Sequence, residues 1–199
     1  MLIIVSCLPN NALSEQITDE QRGKFKKAWQ LVNAGRLSAA ETLVKDLENY
    51  PLHIYLRAAQ LAPTLQKAQN PPLEDFLAQN AGSYSAEKLR SKWLKWLASA
   101  NHWQTFLKHY RSQSDTALQC AHKTALLKTN RKDGLFQQIL PLWTVGKSQP
   151  KACDQVFKFF EAHQGFGDPV IWQRFRAAMM NKQVGLARYL AKKFKNAEA

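Results

Sequence analysis

The sequence predicts an all-α protein, a superhelical αα-solenoid in which helix hairpins stack into a horseshoe-like array. Apolar residues recur at three- and four-residue spacing from residue 19 to residue 194, and no alternating strand pattern is long enough to compete. Short breaks at Gly35, Asn101 and residues 130–134 separate these periodic runs, the layout of helix–turn–helix units. A composition of 45% hydrophobic and 22% charged residues, with eight Gly and eight Pro in 199, suits a folded chain and excludes a disordered or linker-rich one.

Residues 19–34 place Phe25, Trp29 and Val32 on one face, with Arg22, Lys24, Lys26 and Lys27 largely off it, and Gly35 ends that helix. A second helix over 37–47 has Ala40, Leu43, Val44 and Leu47 as its stripe. A third starts at Tyr50-Pro51-Leu52, runs through Leu56 and Leu61, and closes at Pro63. The spacing of helix pairs is close to that of tetratricopeptides without their signature residues, so the repetition is one of architecture. Pro71 and Pro72 imply an extended entry to a short helix through Leu73, Phe76 and Leu77. Periodicity resumes on both sides, so no domain boundary is placed there.

The strongest helical pattern is 85–100, with Leu89, Trp93, Trp96, Leu97 and Ala100 inward and Ser85 as N-cap. Trp103, Phe106, Leu107 and Tyr110 continue after Asn101. Helices follow over 117–127, with Cys120 among its apolar residues, and over 135–143. The run 142–154 then reads as a helix end, a tight connection and a new start. Gly146 suits the left-handed position after a helix, Ser148 an N-cap and Pro150 the first turn, which puts Cys153 one turn into the next helix. Val156, Phe157 and Phe160 form its stripe, 165–169 a loop, and 170–180 with 184–194 a last hairpin with Trp172, Phe175, Met179, Leu186 and Leu190 inward.

Charge sets the first functional bound. With 28 Lys+Arg against 15 Asp+Glu the formal net charge is +13, which favours polyanions: nucleic acid, an anionic membrane surface, or the acidic peptides and glycans of a cell wall. Lys88, Lys92 and Lys95 line one helix face, with Arg90 alongside, and make a candidate anion-binding strip; a solvated helix face is the plainer reading. The six tryptophans could stack on sugars, but at helical spacing they are expected in the core. Residues 1–14 read as a shortened export signal, with apolar Leu2-Ile3-Ile4-Val5 and small residues before Glu15, though a positive leading region and a longer apolar run are missing. No stretch approaches the roughly 20 apolar residues of a membrane-spanning helix.

Several chemistries find no support. Gly146-Lys147-Ser148 has Pro141 where a phosphate-binding loop needs glycine, and a helix where it needs a strand. His53, His102, His109, His122 and His163 form neither an i,i+4 pair nor a zinc-ligand spacing with cysteine, and no nucleophile elbow is present. No catalytic residue, metal or cofactor is expected.

The run Leu142-Trp143-Thr144-Val145-Gly146-Lys147-Ser148-Gln149-Pro150-Lys151-Ala152-Cys153-Asp154 resembles the helical U domain of the soluble lytic murein transglycosylases. Tyr50-Pro51-Leu52, Gln119-Cys120 and Asp168-Pro169 with the following Met-containing hairpin support the match, which covers about residues 19–194. The resemblance implies an N-terminal superhelical domain, taken here as one unit over 15–199, and a disulfide between Cys120 and Cys153 that needs an oxidising compartment; two buried thiols are the alternative. It also implies peptidoglycan glycan strands as partner, a periplasmic location, and no nucleic acid. Intact members cleave between N-acetylmuramic acid and N-acetylglucosamine with a lysozyme-like domain, to which nothing here corresponds. Gly134-Leu135-Phe136-Gln137 is similar to that domain's Gly-Leu-Met-Gln motif but lacks a preceding Glu-Ser pair, so it reads as a helix start. The expected protein is a truncated or split, non-catalytic form. Its alternative is a helical scaffold that holds a separately encoded partner or catalytic domain.

Overall fold

The computed structural model describes residues 17–194, so the expected export signal over 1–14 lies outside the described residues. The fold is an all-α αα-solenoid: the described residues hold eleven α-helices and no strand. They fall into two compact units, the first ending at Pro63 and the second beginning at Thr64, where the sequence reading placed no boundary.

The first unit holds α1 (Asp19–Asn33), α2 (Leu37–Lys45) and α3 (His53–Leu61). Thr18 and Gln21 form a reciprocal capping box at the start of α1, which satisfies two backbone donors that the first turn leaves over. Gly35, at φ 73°, makes the turn into α2. Ala28, Val32, Ala40, Val44, Leu47 and Leu56 close the core of this unit. Trp29, expected inside, is 38% exposed and stacks on Phe25 instead, because Ala28 and Val32 occupy the buried face of α1.

The second unit contains α4 (Pro71–Gln79), α5 (Tyr84–Ser99), α6 (Trp103–His109), α7 (Thr116–Lys128), α8 (Leu135–Trp143), α9 (Asp154–Glu161), α10 (Asp168–Met180) and α11 (Val184–Ala191). Two helix starts differ from the sequence reading. Pro71 and Pro72 are the first two residues of α4, where a missing N–H costs nothing, and Asn70 caps it. Ser83, two residues earlier than expected, caps α5 by accepting from the Ala86 N–H at 3.2 Å. Asp115 caps α7 through the Ala117 and Leu118 N–H groups.

Trp93 is fully buried on α5, and its indole N–H donates to the Lys67 carbonyl at 2.9 Å. Ala100, expected on the same stripe, is exposed, since α5 ends at Ser99. Further along, α10 is rotated from its expected setting. Ile171, Arg174 and Ala178 form the buried face, while Trp172 and Met179 are each 54% exposed. Trp172 packs along the surface on Phe175 and Phe194.

The His122 ring on α7 lies parallel to Tyr110, with centroids 4.1 Å apart. Burial, and next the adjacent Lys123 ammonium, push its pKa down to about 4. The native state therefore favours neutral His122, and its contribution to stability is complete above about pH 6.5 and lost as pH falls towards 4. We expect the unfolding midpoint to fall across that window, the fall to shrink in His122→Phe, and imidazole NMR to place the His122 transition well below the ordinary histidine value of about 6.5.

Candidate binding surface of the second unit

The centre of the second unit is where the sequence is most distinctive. Trp143 closes α8, is fully buried, and packs against Phe160 of α9 and Phe166 of the following loop at centroid distances of 5.6 and 5.1 Å. Its indole N–H donates to Glu161 Oε1 at 3.1 Å, and Lys193 Nζ donates to Glu161 Oε2 at 2.7 Å. Gly146, three residues on, is buried. Its backbone is not left-handed, contrary to the sequence reading: the left-handed glycines among the described residues are Gly35, Gly82 and Gly134. What excludes a side chain there is contact, because a Cβ would collide with the Ala177 carbonyl near the end of α10.

The connection that follows is also not capped as expected. Ser148 makes no capping bond, and Pro150 precedes a single 3-10 turn over Lys151–Cys153 that leads directly into α9. Cys153 thus sits at the end of that turn, ahead of the α-helix, and its N–H donates to the Pro150 carbonyl at 2.8 Å. A disulfide joins it to Cys120 of α7, with Cα atoms 4.9 Å apart. Leu135, Ile139, Val156 and Phe160 share the surrounding core. Gly134, left-handed at φ 62°, precedes α8 as the helix start expected of residues 134–137.

The four candidate anion-binding residues are not brought together. Lys88, Lys92 and Lys95 are exposed on one side of α5, and the Lys88 ammonium stands over the Tyr84 ring at 5.4 Å. Arg90 does not join them: it is 5% exposed, on the opposite side. Its guanidinium pairs with Glu87 at 3.2 Å and donates to the carbonyls of His109 and Leu77, so it ties α4, α5 and the end of α6 together. A residue two positions from Lys88 and from Lys92 falls across the helix from both, which separates Arg90 from the strip. Lys95 bridges to Asp115 at 2.7 Å. The Lys95 hydrogen bond is the main reason that the Asp115 carboxyl is held below its ordinary pKa, against the opposing effect of its burial.

Lys95 also lines a groove of about 720 Å³ between α5, α7 and the Lys151–Cys153 turn. Its lining combines apolar Trp103, Leu118, Ala121 and Ala152 with exposed Lys95, Lys151, Lys158 and Asp154. Cys120 and Cys153 adjoin the lining residues Ala121 and Ala152, so their bond joins α7 to the turn beside the groove. The sequence reading misses this groove because its walls come from three separate segments, within residues 95–103, 117–124 and 151–158; half-buried Trp103 beside Asn101 is the available signal. Among the described residues no cluster of His, Cys, Asp and Glu could hold a metal, and no helix is long and apolar enough to cross a membrane.

Stacked helix hairpins, with a disulfide between α7 and the turn that precedes α9, define a helical-repeat protein. No protein-family model matches the chain. Over 175 residues it is 30% identical to the soluble lytic murein transglycosylase of Escherichia coli K12, and 29% identical to that of Salmonella typhimurium. These alignments cover 87% of the chain but 27% of the relatives, so the chain spans about a quarter of their length. The crystal structure of the 70 kDa soluble lytic transglycosylase from Escherichia coli superposes with a TM-score of 0.78 at 28% identity, over 90% of this chain and 29% of that one. The same enzyme in complex with bulgecin A gives 0.79, and an inactive mutant of the Pseudomonas aeruginosa lytic transglycosylase Slt gives 0.76 at 28% identity, over 87% of this chain and 28% of that one. The chain is therefore homologous to a part of the soluble lytic murein transglycosylases.

Gly146→Ala should cost about 1–3 kcal/mol of stability, since the Ala177 carbonyl belongs to a helix backbone and cannot move aside as a side chain would. Gly185→Ala, where an added Cβ meets open space, is its control and should be neutral or stabilising. Chemical denaturation of the two variants tests the difference; equal midpoints would show that close packing does not explain the glycine.

Proposed function

We propose that this chain supplies the superhelical, non-catalytic part of a periplasmic soluble lytic murein transglycosylase and that it binds or guides peptidoglycan glycan strands. The observation that carries this reading is the homology along 87% of the chain to enzymes named for murein, with 27% of their length covered. A net charge of +13 and the lysine-lined groove suit a partner with acidic groups. Half-buried Trp103 in the groove offers an apolar ring face to a sugar.

Carboxyl chemistry supports the non-catalytic part. Cleavage of a glycosidic bond needs a carboxylic acid whose pKa is raised so that it can protonate the leaving oxygen. Glu20, Glu74 and Asp115 are instead held low, chiefly by hydrogen bonds from Lys24, Lys108 and Lys95. Both oxygens of Glu161 are already taken by Trp143 and Lys193. One surface favours the second reading, a scaffold for a separately encoded protein: Trp172, Met179, Met180 and Val184 expose apolar area around the α10–α11 turn.

Retention on purified sacculi tests the main reading. Binding should weaken from low to physiological salt, because exposed charges are screened over about 8–10 Å. Replacing Lys95, Lys151 and Lys158 with Gln should lower retention severalfold, and replacing Lys88 and Lys92 should lower it less. No 1,6-anhydro product should be released. Retention indifferent to salt and to the groove lysines would contradict strand binding there, and anhydro products from protein made in a host without such enzymes would contradict the non-catalytic reading.

A further inference from the structure

Arg174 is a cation that its surroundings bury without neutralising. It projects from α10 at 5% exposure. Its guanidinium lies over the Trp143 indole, 4.7 Å from the ring centroid, and 5.5 Å from that of Phe157. Its Nε is buried without a hydrogen-bond partner, and no ion pair reaches it among the described residues. Glu161 is close enough to be felt, but its oxygens serve Trp143 and Lys193. Aromatic faces attract the charge yet accept no conventional hydrogen bond from the fork, so a donor edge stays unfilled.

Arg174 lines a cavity of about 510 Å³, together with Ser148 and Gln149 of the distinctive connection, Lys158, Gly185 and Tyr189. Asp154 and Glu161 line it as well, so the walls carry both signs of charge. Such a cavity disfavours a multiply charged anion and suits a ligand that brings one carboxylate together with amide or ammonium groups. Guanidinium geometry matches a carboxylate edge to edge, and the place of the Arg174 Cζ over the Trp143 ring, 4.7 Å from its centroid, positions the fork in advance.

We propose that this cavity binds the free carboxylate of a short peptide, with Arg174 as the carboxylate-holding residue and the Ser148-Gln149 connection as one wall. On the peptidoglycan reading the source is the peptide carried by the strand, and that assignment of source rests on the reading above. The carboxylate site itself does not.

The test is calorimetric titration of the full chain, with tryptophan emission followed in parallel, using alanyl-alanine and its C-terminal amide as probes. The acid should bind saturably and the amide at least tenfold more weakly. Arg174→Lys, which keeps the charge but not the fork, should weaken the acid at least tenfold. Should substitution of Arg174 disturb folding, Gly185→Phe serves instead: its Cβ enters open space on the cavity wall, and the ring should abolish binding with Arg174 intact. Equal binding of acid and amide, no saturable heat, or unchanged binding in Gly185→Phe would overturn the site. Sacculus retention without dipeptide binding counts against the carboxylate site alone, and dipeptide binding without sacculus retention counts against the wall-binding reading alone.

Discussion

The bond between Cys120 and Cys153 ties the middle of α7 to the turn that opens α9, and much of the second unit is arranged from that tie. It closes a sequence separation of 33 residues, which by the chain-entropy relation contributes on the order of 3–4 kcal/mol. Between its ends the chain must build α8 and return, and the fully buried Trp143 fills the space that this path encloses. Phe160, Phe166, Glu161 and Arg174 then meet the indole from α9, the following loop and α10. Gly146 allows the Ala177 carbonyl of α10 to approach the same connection. The buried residues of the conspicuous motif around 142–154, Trp143, Gly146 and Cys153, thus serve packing.

This arrangement gives the second unit a defined surface around the tie. One wall of the groove is α7 and another is the Lys151–Cys153 turn, and the covalent tie lies between them. Surface ion pairs such as Lys95–Asp115 contribute less, roughly 0–1 kcal/mol, so they orient a side chain and do not hold the walls. Charge and shape therefore have separate origins: the exposed lysines can be exchanged with little effect on the fold, whereas the apolar lining depends on the core.

Helix identity and order were legible because periodicity reports burial directly: α8 begins and ends where the pattern of residues 135–143 does. Errors arose where one residue serves two purposes. Ser83 and Ser85 are both cap-forming residues, and the difference rests on which N–H is in reach. Gly146 was read as a turn glycine, although close approach of α10, a tertiary fact, is what requires it. Rotation of α10 was misjudged because Arg174 occupies a core position that a hydrophobicity pattern assigns to Trp172 or Met179. A charged residue between Ile171 and Ala178 at helical spacing was the available clue to the Arg174 cavity. Arg90 misled in the same manner, since its charge suggested a surface strip while its partners are backbone carbonyls.

The most direct measurement of this account is equilibrium unfolding of the chain, secreted into an oxidising compartment, before and after reduction, with intact mass recorded in each state. The account predicts a protein lighter by two hydrogens before reduction, peptide mapping that joins Cys120 to Cys153, and a loss of roughly 3–4 kcal/mol on reduction. Two free thiols at these positions, or unfolding curves that coincide with and without reductant, would contradict it.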